Sequence, residues 1–265
     1  MTTMNKTIII HHLNDMDNLP KMERWFVRDH CPEVLAQAPW LTRYVMYRVV
    51  PPAKGMEEMG FMNYRVHVNM AIDKLFRRNL RGLLCATREP VENAMTVAVA
   101  NVPAEPTEDF CGQTLGHYDT PFVRFLYFFS YPEGVDKKDG EDWFLNVHAP
   151  EVCKLPGVLR FFSSKSYDEK FPPLPMPEGI DNLSFVDLAK DNLLFHSWDR
   201  VCEIWFENNS AWTEAFIENG DKLTAPGWAT KDTYPFVVPG KDFICTSILE
   251  RPDQNMLKHY EGYIL

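Results

Sequence analysis

Trp25-Phe26-Val27-Arg28-Asp29-His30-Cys31-Pro32-Glu33-Val34 returns as Trp143-Phe144-Leu145-Asn146-Val147-His148-Ala149-Pro150-Glu151-Val152. Both stretches read W-F-x-x-x-H-x-P-E-V, and their offset, 143 minus 25 or 118, is close to half of the 265 residues. Self-similarity at such a spacing marks one supersecondary unit used twice. The flanks agree: an apolar, strand-like run precedes each copy and another follows it.

Working outward from the first copy, residues 7–13 are β-rich, and 19–35 read as a helix with Asn18 as N-cap and Pro20 tolerated in the first turn. Residues 41–50 read as a strand stopped by Pro51-Pro52, 61–68 as a strand, 71–80 as an amphipathic helix and 95–102 as a closing strand. Around the second copy the order repeats: strand 122–131, helix 140–155, strand 158–166, strand 198–206, helix 210–219 and strand 243–249. A tail from residue 254 onward is expected to pack across the other half. The β-α-β-β-α-β order is that of a ferredoxin-like unit, with helices on one face of an antiparallel sheet. The bare face needs a cover, and the second sheet supplies it. The expectation is therefore an α+β fold of two tandem ferredoxin-like units, 1–112 and 113–265, whose sheets pack face to face as an intrachain barrel. The second unit carries a Pro-rich insertion, 167–197, read as a lid over one barrel mouth.

With 45% hydrophobic and 13% aromatic residues the chain has material for a large core and a ring-walled cavity. The net charge of -10 argues against a nucleic-acid surface, which needs a basic stripe. No apolar run reaches the roughly 18 residues of a membrane span. The first six residues read as a polar arm, not as a signal peptide. Six cysteines without a C-x-x-C pair read as reduced thiols of a cytoplasmic protein, monomeric or homodimeric.

The second half resembles the EthD-like branch of the dimeric α+β barrel superfamily. The resemblance is carried by Asp142-Trp143 through His148-Ala149-Pro150, by Lys154-Leu155-Pro156-Gly157-Val158-Leu159-Arg160-Phe161, and by Trp198-Asp199-Arg200-Val201-Cys202-Glu203-Ile204-Trp205-Phe206-Glu207. The first half keeps Trp25, His30 and Pro32 but has Ala38-Pro39-Trp40 where Pro-Gly would stand. The resemblance implies the barrel. It does not select a reaction, because relatives include cofactor-free oxygenases, polyketide cyclases and lactone isomerases.

Strand alternation suggests which side chains wall the cavity. Cys202, Ile204 and Phe206 suit the helix layer, so Asp199, Glu203 and Trp205 face the inter-sheet space. In the first half Val66, Val68 and Met70 form the apolar row with Tyr64, which turns Asn63, Arg65 and His67 inward. Arg65 is then expected to hold an anionic group, with His67 as acid or base near neutral pH. His30 and His148 lie on the apolar stripes of the motif helices, where a core role competes with a catalytic one. His11 and His12 are adjacent on the first strand, and alternation does not say which faces the cavity. Arg43, Tyr44, Tyr64 and Arg160 are further binding candidates. There is no H-E-x-x-H, no G-x-G-x-x-G, no P-loop and no G-x-S-x-G. Neither a metal nor a cofactor is expected. The expectation is a cofactor-independent lyase, a decarboxylase of small aromatic or polyketide-like acids. A cofactor-free monooxygenase, a cyclase or isomerase on similar substrates, and a non-enzymatic binding or stress-response barrel are the alternatives.

Overall fold

The computed structural model describes residues 4–13, 16–37, 41–56, 66–73, 94–112, 122–167, 198–229 and 243–257. They contain nine strands: β1 (Asn5–Leu13), β2 (Leu41–Val49), β3 (Val66–Asp73), β4 (Ala94–Pro103), β5 (Glu108–Asp109), β6 (Val123–Phe129), β7 (Val158–Lys165), β8 (Arg200–Phe206) and β9 (Phe243–Leu257). All nine belong to one sheet, in the order β4-β1-β3-β2-β9-β6-β8-β7-β5. The first four strands lie fourth, first, third, second. So do β6 to β9, read from β9 to β7, and every pairing is antiparallel.

The two runs do not face each other as separate sheets. They join edge to edge through β2 and β9, with Val49 opposite Ile248 and Tyr44 opposite Met256. Of the expected tail, residues 254–257 continue β9 in its pairing with β2 of the other run; the rest lies outside the described residues. The sheet curls until its ends approach: the Tyr167 amide, just past β7, donates to the Asn101 carbonyl of β4 at 3.1 Å. Ile8 and Ile10 of β1, Val45 of β2, Met70 of β3, Leu126 and Phe128 of β6, Val201 of β8, and Ile244 and Ile248 of β9 form one interior cluster. With Ala100 and Val102 of β4, seven strands contribute to this one buried cluster and make the inside of the curl a packed core.

Two further cores lie between the sheet and the helices. One packs Phe125, Tyr127, Phe161, Ile204 and Phe206 against Phe144, Trp212 and Phe216. The other packs Leu41, Tyr44 and Met46 against Phe26 and Val34. Helix α1 (19–37) runs through Leu19–Trp25, a π turn at Phe26–His30, and Cys31–Gln37. Helix α2 (137–152) repeats this as Lys137–Trp143, a π turn at Phe144–His148, and Ala149–Val152. The widened turn follows from the motif. Proline two residues after the histidine lacks an amide proton and its ring crowds the preceding turn. In both copies the helix re-registers with an i→i−5 bond, from the Cys31 amide to the Phe26 carbonyl and from Ala149 to Phe144. Helix α3 (209–218) starts at Asn208, whose side chain accepts from the Ala211 amide. Asn18, expected to cap α1 in the same way, has no side-chain cap bond and sits in a short 3-10 turn.

Gly157 follows Pro156 with φ at 76°, and a Cβ there would come within 2.8 Å of the Ala211 Cβ on α3. The turn from α2 into β7 therefore needs glycine twice, for backbone hand and for contact distance.

Several expectations change. Residues 71–73 complete β3 instead of opening a helix, because they pair with β1 and β2; the rest of that span, 74–80, lies outside the described residues. The expected lid, 168–197, also lies outside them. Strand β5 was not anticipated and pairs with β7. Two of the supposedly reduced thiols, Cys111 and Cys153, form a disulfide across 42 residues, with Cα atoms 5.5 Å apart. Neither neighbours the other in sequence, so only the tertiary approach of the post-β5 loop to the end of α2 reveals the pair. With it goes the thiol argument for a cytoplasmic location. Among the described residues no helix is long and apolar enough to cross a membrane.

Candidate functional site

At one end of the curl, beyond the interior cluster, lies a chamber of about 160 Å³. It is lined by Lys6 and Ile8 of β1, Leu126 of β6, Phe162 and Ser164 of β7, Val201, Glu203 and Trp205 of β8, and Pro106. Both runs of strands supply walls. Small-molecule pockets of roughly 300–1,000 Å³ enclose drug-sized ligands, so this volume suits a single ring with the remainder reaching outward.

Its polar side is built around Glu203. Arg124 of β6 lies directly opposite Trp205 in the β6–β8 ladder, two residue pairs along from Leu126 and Glu203. The Arg124 Nη1 donates to Glu203 Oε1 at 3.0 Å and to the Tyr47 hydroxyl of β2 at 3.3 Å. The Trp205 indole N–H reaches across two residues of its own strand to the same Oε1, at 2.6 Å. Both donors to the carboxylate end on Oε1, so Oε2 is engaged by neither. The guanidinium also lies 4.3 Å over the Trp205 ring and 5.1 Å over Tyr47. A half-buried ion pair repays its desolvation only with such additional bonds and faces.

Lys6 opens the other side. Burial among apolar walls lowers its ammonium pKa from the ordinary value; Glu203 pulls it back up, Arg124 lowers it and Glu105 raises it. Around this group Phe122 stacks on Trp205 at 5.6 Å, Phe162 meets Trp205 edge-on at 5.7 Å, and Arg160 lies 4.9 Å over Phe162. Pro106 belongs to a strap that continues into β5. Asp109 on it reaches Arg160 at 3.8 Å, and its end is tied down by the Cys111–Cys153 disulfide.

Glu203 and Trp205 thus sit in the chamber, and Arg160 at its rim. Cys202, Ile204 and Phe206 face the helices, as the alternation on β8 implies. Asp199 does not join them: just before β8 it accepts from the Tyr131 amide at 2.8 Å and pairs with Lys137 at 2.8 Å. On β3 the expected phase fails at its described member, because Met70 points into the curl and not toward the helices. The cause is that both faces of the sheet are buried, so an apolar row does not identify the helix side. His67 is described by register alone, opposite His11 of β1 and Arg48 of β2. Tyr64 and Arg65 lie outside the described residues. Arg43 is half-buried on β2.

His11, His30 and His148 lie in the helix-facing layers. His11 is buried 6.0 Å from Phe26 of α1. His30 is buried, with Nε2 3.3 Å from the Tyr44 hydroxyl and its ring 4.8 Å from Trp25. Burial pushes the Tyr44 phenol well up from its usual value. His148 is fully buried beside Trp143 and Phe144, and burial drops its pKa to about 3. A ring that stays neutral at any ordinary pH is suited to packing.

Arg200 is a third polar centre, on the opposite face of β8 from Glu203. Only 1% exposed, it bonds Glu141 through Nε at 2.7 Å and Nη2 at 2.6 Å, Glu108 through Nη1 at 2.6 Å, and the Ser163 hydroxyl at 2.8 Å. Burial pulls the Glu141 carboxyl upward, but the Arg200 hydrogen bonds and charge outweigh it and hold the pKa below the usual carboxylate value. With every donor occupied by protein, Arg200 clamps α2 and the β5 strap to the sheet. Among the described residues no group of three or more His, Cys, Asp or Glu is placed to hold a metal. Lys6 and Arg124 were absent from the sequence-based candidates. A single cation at the start of each apolar strand, Lys6 before Thr7-Ile8-Ile9-Ile10 and Arg124 before Phe125-Leu126-Tyr127-Phe128-Phe129, was the available signal.

Comparison with known proteins gives three findings. Residues 2–85 match the family of the chalcone isomerase N-terminal domain. No curated protein matches. Among solved structures, a cyanide-bound chlorite dismutase variant from Candidatus Nitrospira defluvii superposes with a TM-score of 0.53 at 9% identity, over 96% of this chain and 93% of that one. An anthrone oxidase-like protein gives a TM-score of 0.50 at 9% identity, over 95% and 92%. An EthD family protein from Bacillus halodurans is 19% identical over 48% of this chain and 95% of its own, with a TM-score of 0.29. The chlorite dismutase and the anthrone oxidase-like protein share with this chain the ferredoxin-like α+β barrel fold.

Proposed function

We propose that the chain is a cofactor-independent isomerase of small phenolic compounds, acting in the chamber between Lys6 and Glu203. The observation that carries this reading is the amine and the carboxylate facing one ring-walled chamber, in a chain whose first third matches the chalcone isomerase N-terminal domain. A phenol conjugated to an enone closes to a cyclic ether without net change in composition. The phenolic proton passes to the neutral Lys6 amine, the oxygen adds to the conjugated carbon, and the ammonium returns the proton to the adjacent carbon. Desolvation of Lys6 favours the neutral amine that the first step needs. Arg124 is a positioning residue that fixes Glu203 and Trp205.

Decarboxylation is the less favoured chemistry. It calls for an arginine open to a substrate carboxylate, and Arg124 is bonded to Glu203 and Tyr47. We also take the repeated strand order to reflect one unit used twice, divided near residue 112. The test is anaerobic incubation with 2′-hydroxychalcone, following loss of the enone absorbance. Turnover without oxygen supports the reading. Conversion that requires added oxygen, or no conversion by a folded protein, overturns it.

A further inference from the structure

The chamber holds an amine whose surroundings suit a second kind of chemistry. Lys6 is carried on the paired strand β1, between β3 and β4, so its stem is fixed by two ladders. Its neighbours in the chamber include the apolar side chains of Ile8, Leu126, Val201, Phe162 and Trp205. The charged groups that face it are Glu203 of β8, Arg124 of β6 and Glu105 of the strap. An apolar wall and a nearby cation are the two surroundings that turn a lysine into a nucleophile.

We propose that Lys6 condenses with the carbonyl carbon of a small aromatic aldehyde or ketone to form an imine. The inference rests on the same chamber as the isomerase reading but not on isomerisation. The Lys6 nitrogen adds to the carbonyl carbon, and the C–O double bond opens to a carbinolamine. The two N–H protons pass in turn, through Glu203 Oε2, to the former carbonyl oxygen. The C–O bond breaks and that oxygen leaves as water. Amine plus carbonyl gives imine plus water, with no change of oxidation state. The ring of the aldehyde lies against Phe162 and Trp205, and Arg124 keeps Glu203 in place.

The experiment uses the full-length protein with 4-hydroxybenzaldehyde and sodium cyanoborohydride at neutral pH, read by intact mass and peptide mapping. One adduct at Lys6, at least tenfold above that at exposed lysines such as Lys137 and Lys138, is expected. Lys6→Arg removes it, and Lys6→Met gives a second variant whose folding is checked by circular dichroism. Glu203→Gln slows labelling at least tenfold without moving it to another residue. Labelling spread over exposed lysines with no preference for Lys6, or an unchanged rate in Glu203→Gln, overturns the proposal. A Lys6 adduct without chalcone turnover removes the isomerase reading and leaves this one. Turnover without the adduct does the reverse.

Discussion

The Trp143 and His148 rings lie 4.8 Å apart at 31°, and Trp25 and His30 repeat both values in the other motif helix. Five residues separate each pair. In an α-helix such residues diverge by about 140°, whereas a π turn brings them onto one face. The W-x-x-x-x-H-x-P spacing therefore encodes a ring pair, made possible by the widened turn ahead of the proline. Each pair anchors its helix on the sheet.

His148 makes stability depend on pH. Its folded pKa of about 3 lies below the ordinary value near 6.5, so the unfolded chain binds the extra proton between these limits. Stability is full above pH 6.5 and falls as pH drops toward 3, by about 1.4 kcal/mol per unit. Going from pH 6.5 to 5 should cost about 2 kcal/mol in urea unfolding. His148→Leu should flatten that slope, and an unchanged slope would refute the assignment.

Arg200→Leu leaves Glu108 and Glu141 without their shared cation while both remain partly buried. Truncating one partner of such a cluster typically costs about 3–5 kcal/mol. Chemical denaturation of Arg200→Leu should show a loss in that range. Replacing Arg200, Glu108 and Glu141 together by apolar residues should recover part of it.

Reducing the Cys111–Cys153 disulfide reopens a loop of 42 residues. Chain entropy puts the loss at about 2–4 kcal/mol. The melting temperature should fall with a dithiol reductant in wild type and not in Cys111→Ser/Cys153→Ser. Because Pro106 and Asp109 ride on the tethered strap, aromatic ligands should also bind more weakly in the reduced protein, a change that calorimetry reads directly.

Lys6→Met should lower isomerase kcat by roughly 10²–10⁴-fold, the range for losing a proton-transfer group, and Glu203→Gln, which removes a charge acting on the Lys6 amine, should lower it less. Tyr47→Phe removes one bond to Arg124 and leaves the ring beneath it, so its effect should fall mainly on KM. Steady-state kinetics of the three variants separate these cases.

Alternation on β8 was legible because Cys202, Ile204 and Phe206 are apolar while Glu203 breaks the opposite row. β3 misled, since the interior of the curl is as apolar as the helix layer and Met70 fits either side. Lys6 and Arg124 drew no notice at strand starts, where a cation usually meets solvent. They matter because the sheet rolls up and brings those starts beside Glu203.

Residue order alone was enough to establish the repeated motif, with the proline and histidine of its two π turns, and the β-α-β-β-α-β succession of the second half. These are local matters, set by spacing, side-chain shape and backbone freedom within a few residues. The joining of β2 to β9, the disulfide, the Arg200 clamp and the Lys6–Glu203 chamber arise only on closure of the sheet. Each unites groups dozens of residues apart or more, and no local period reports which distant strands become neighbours.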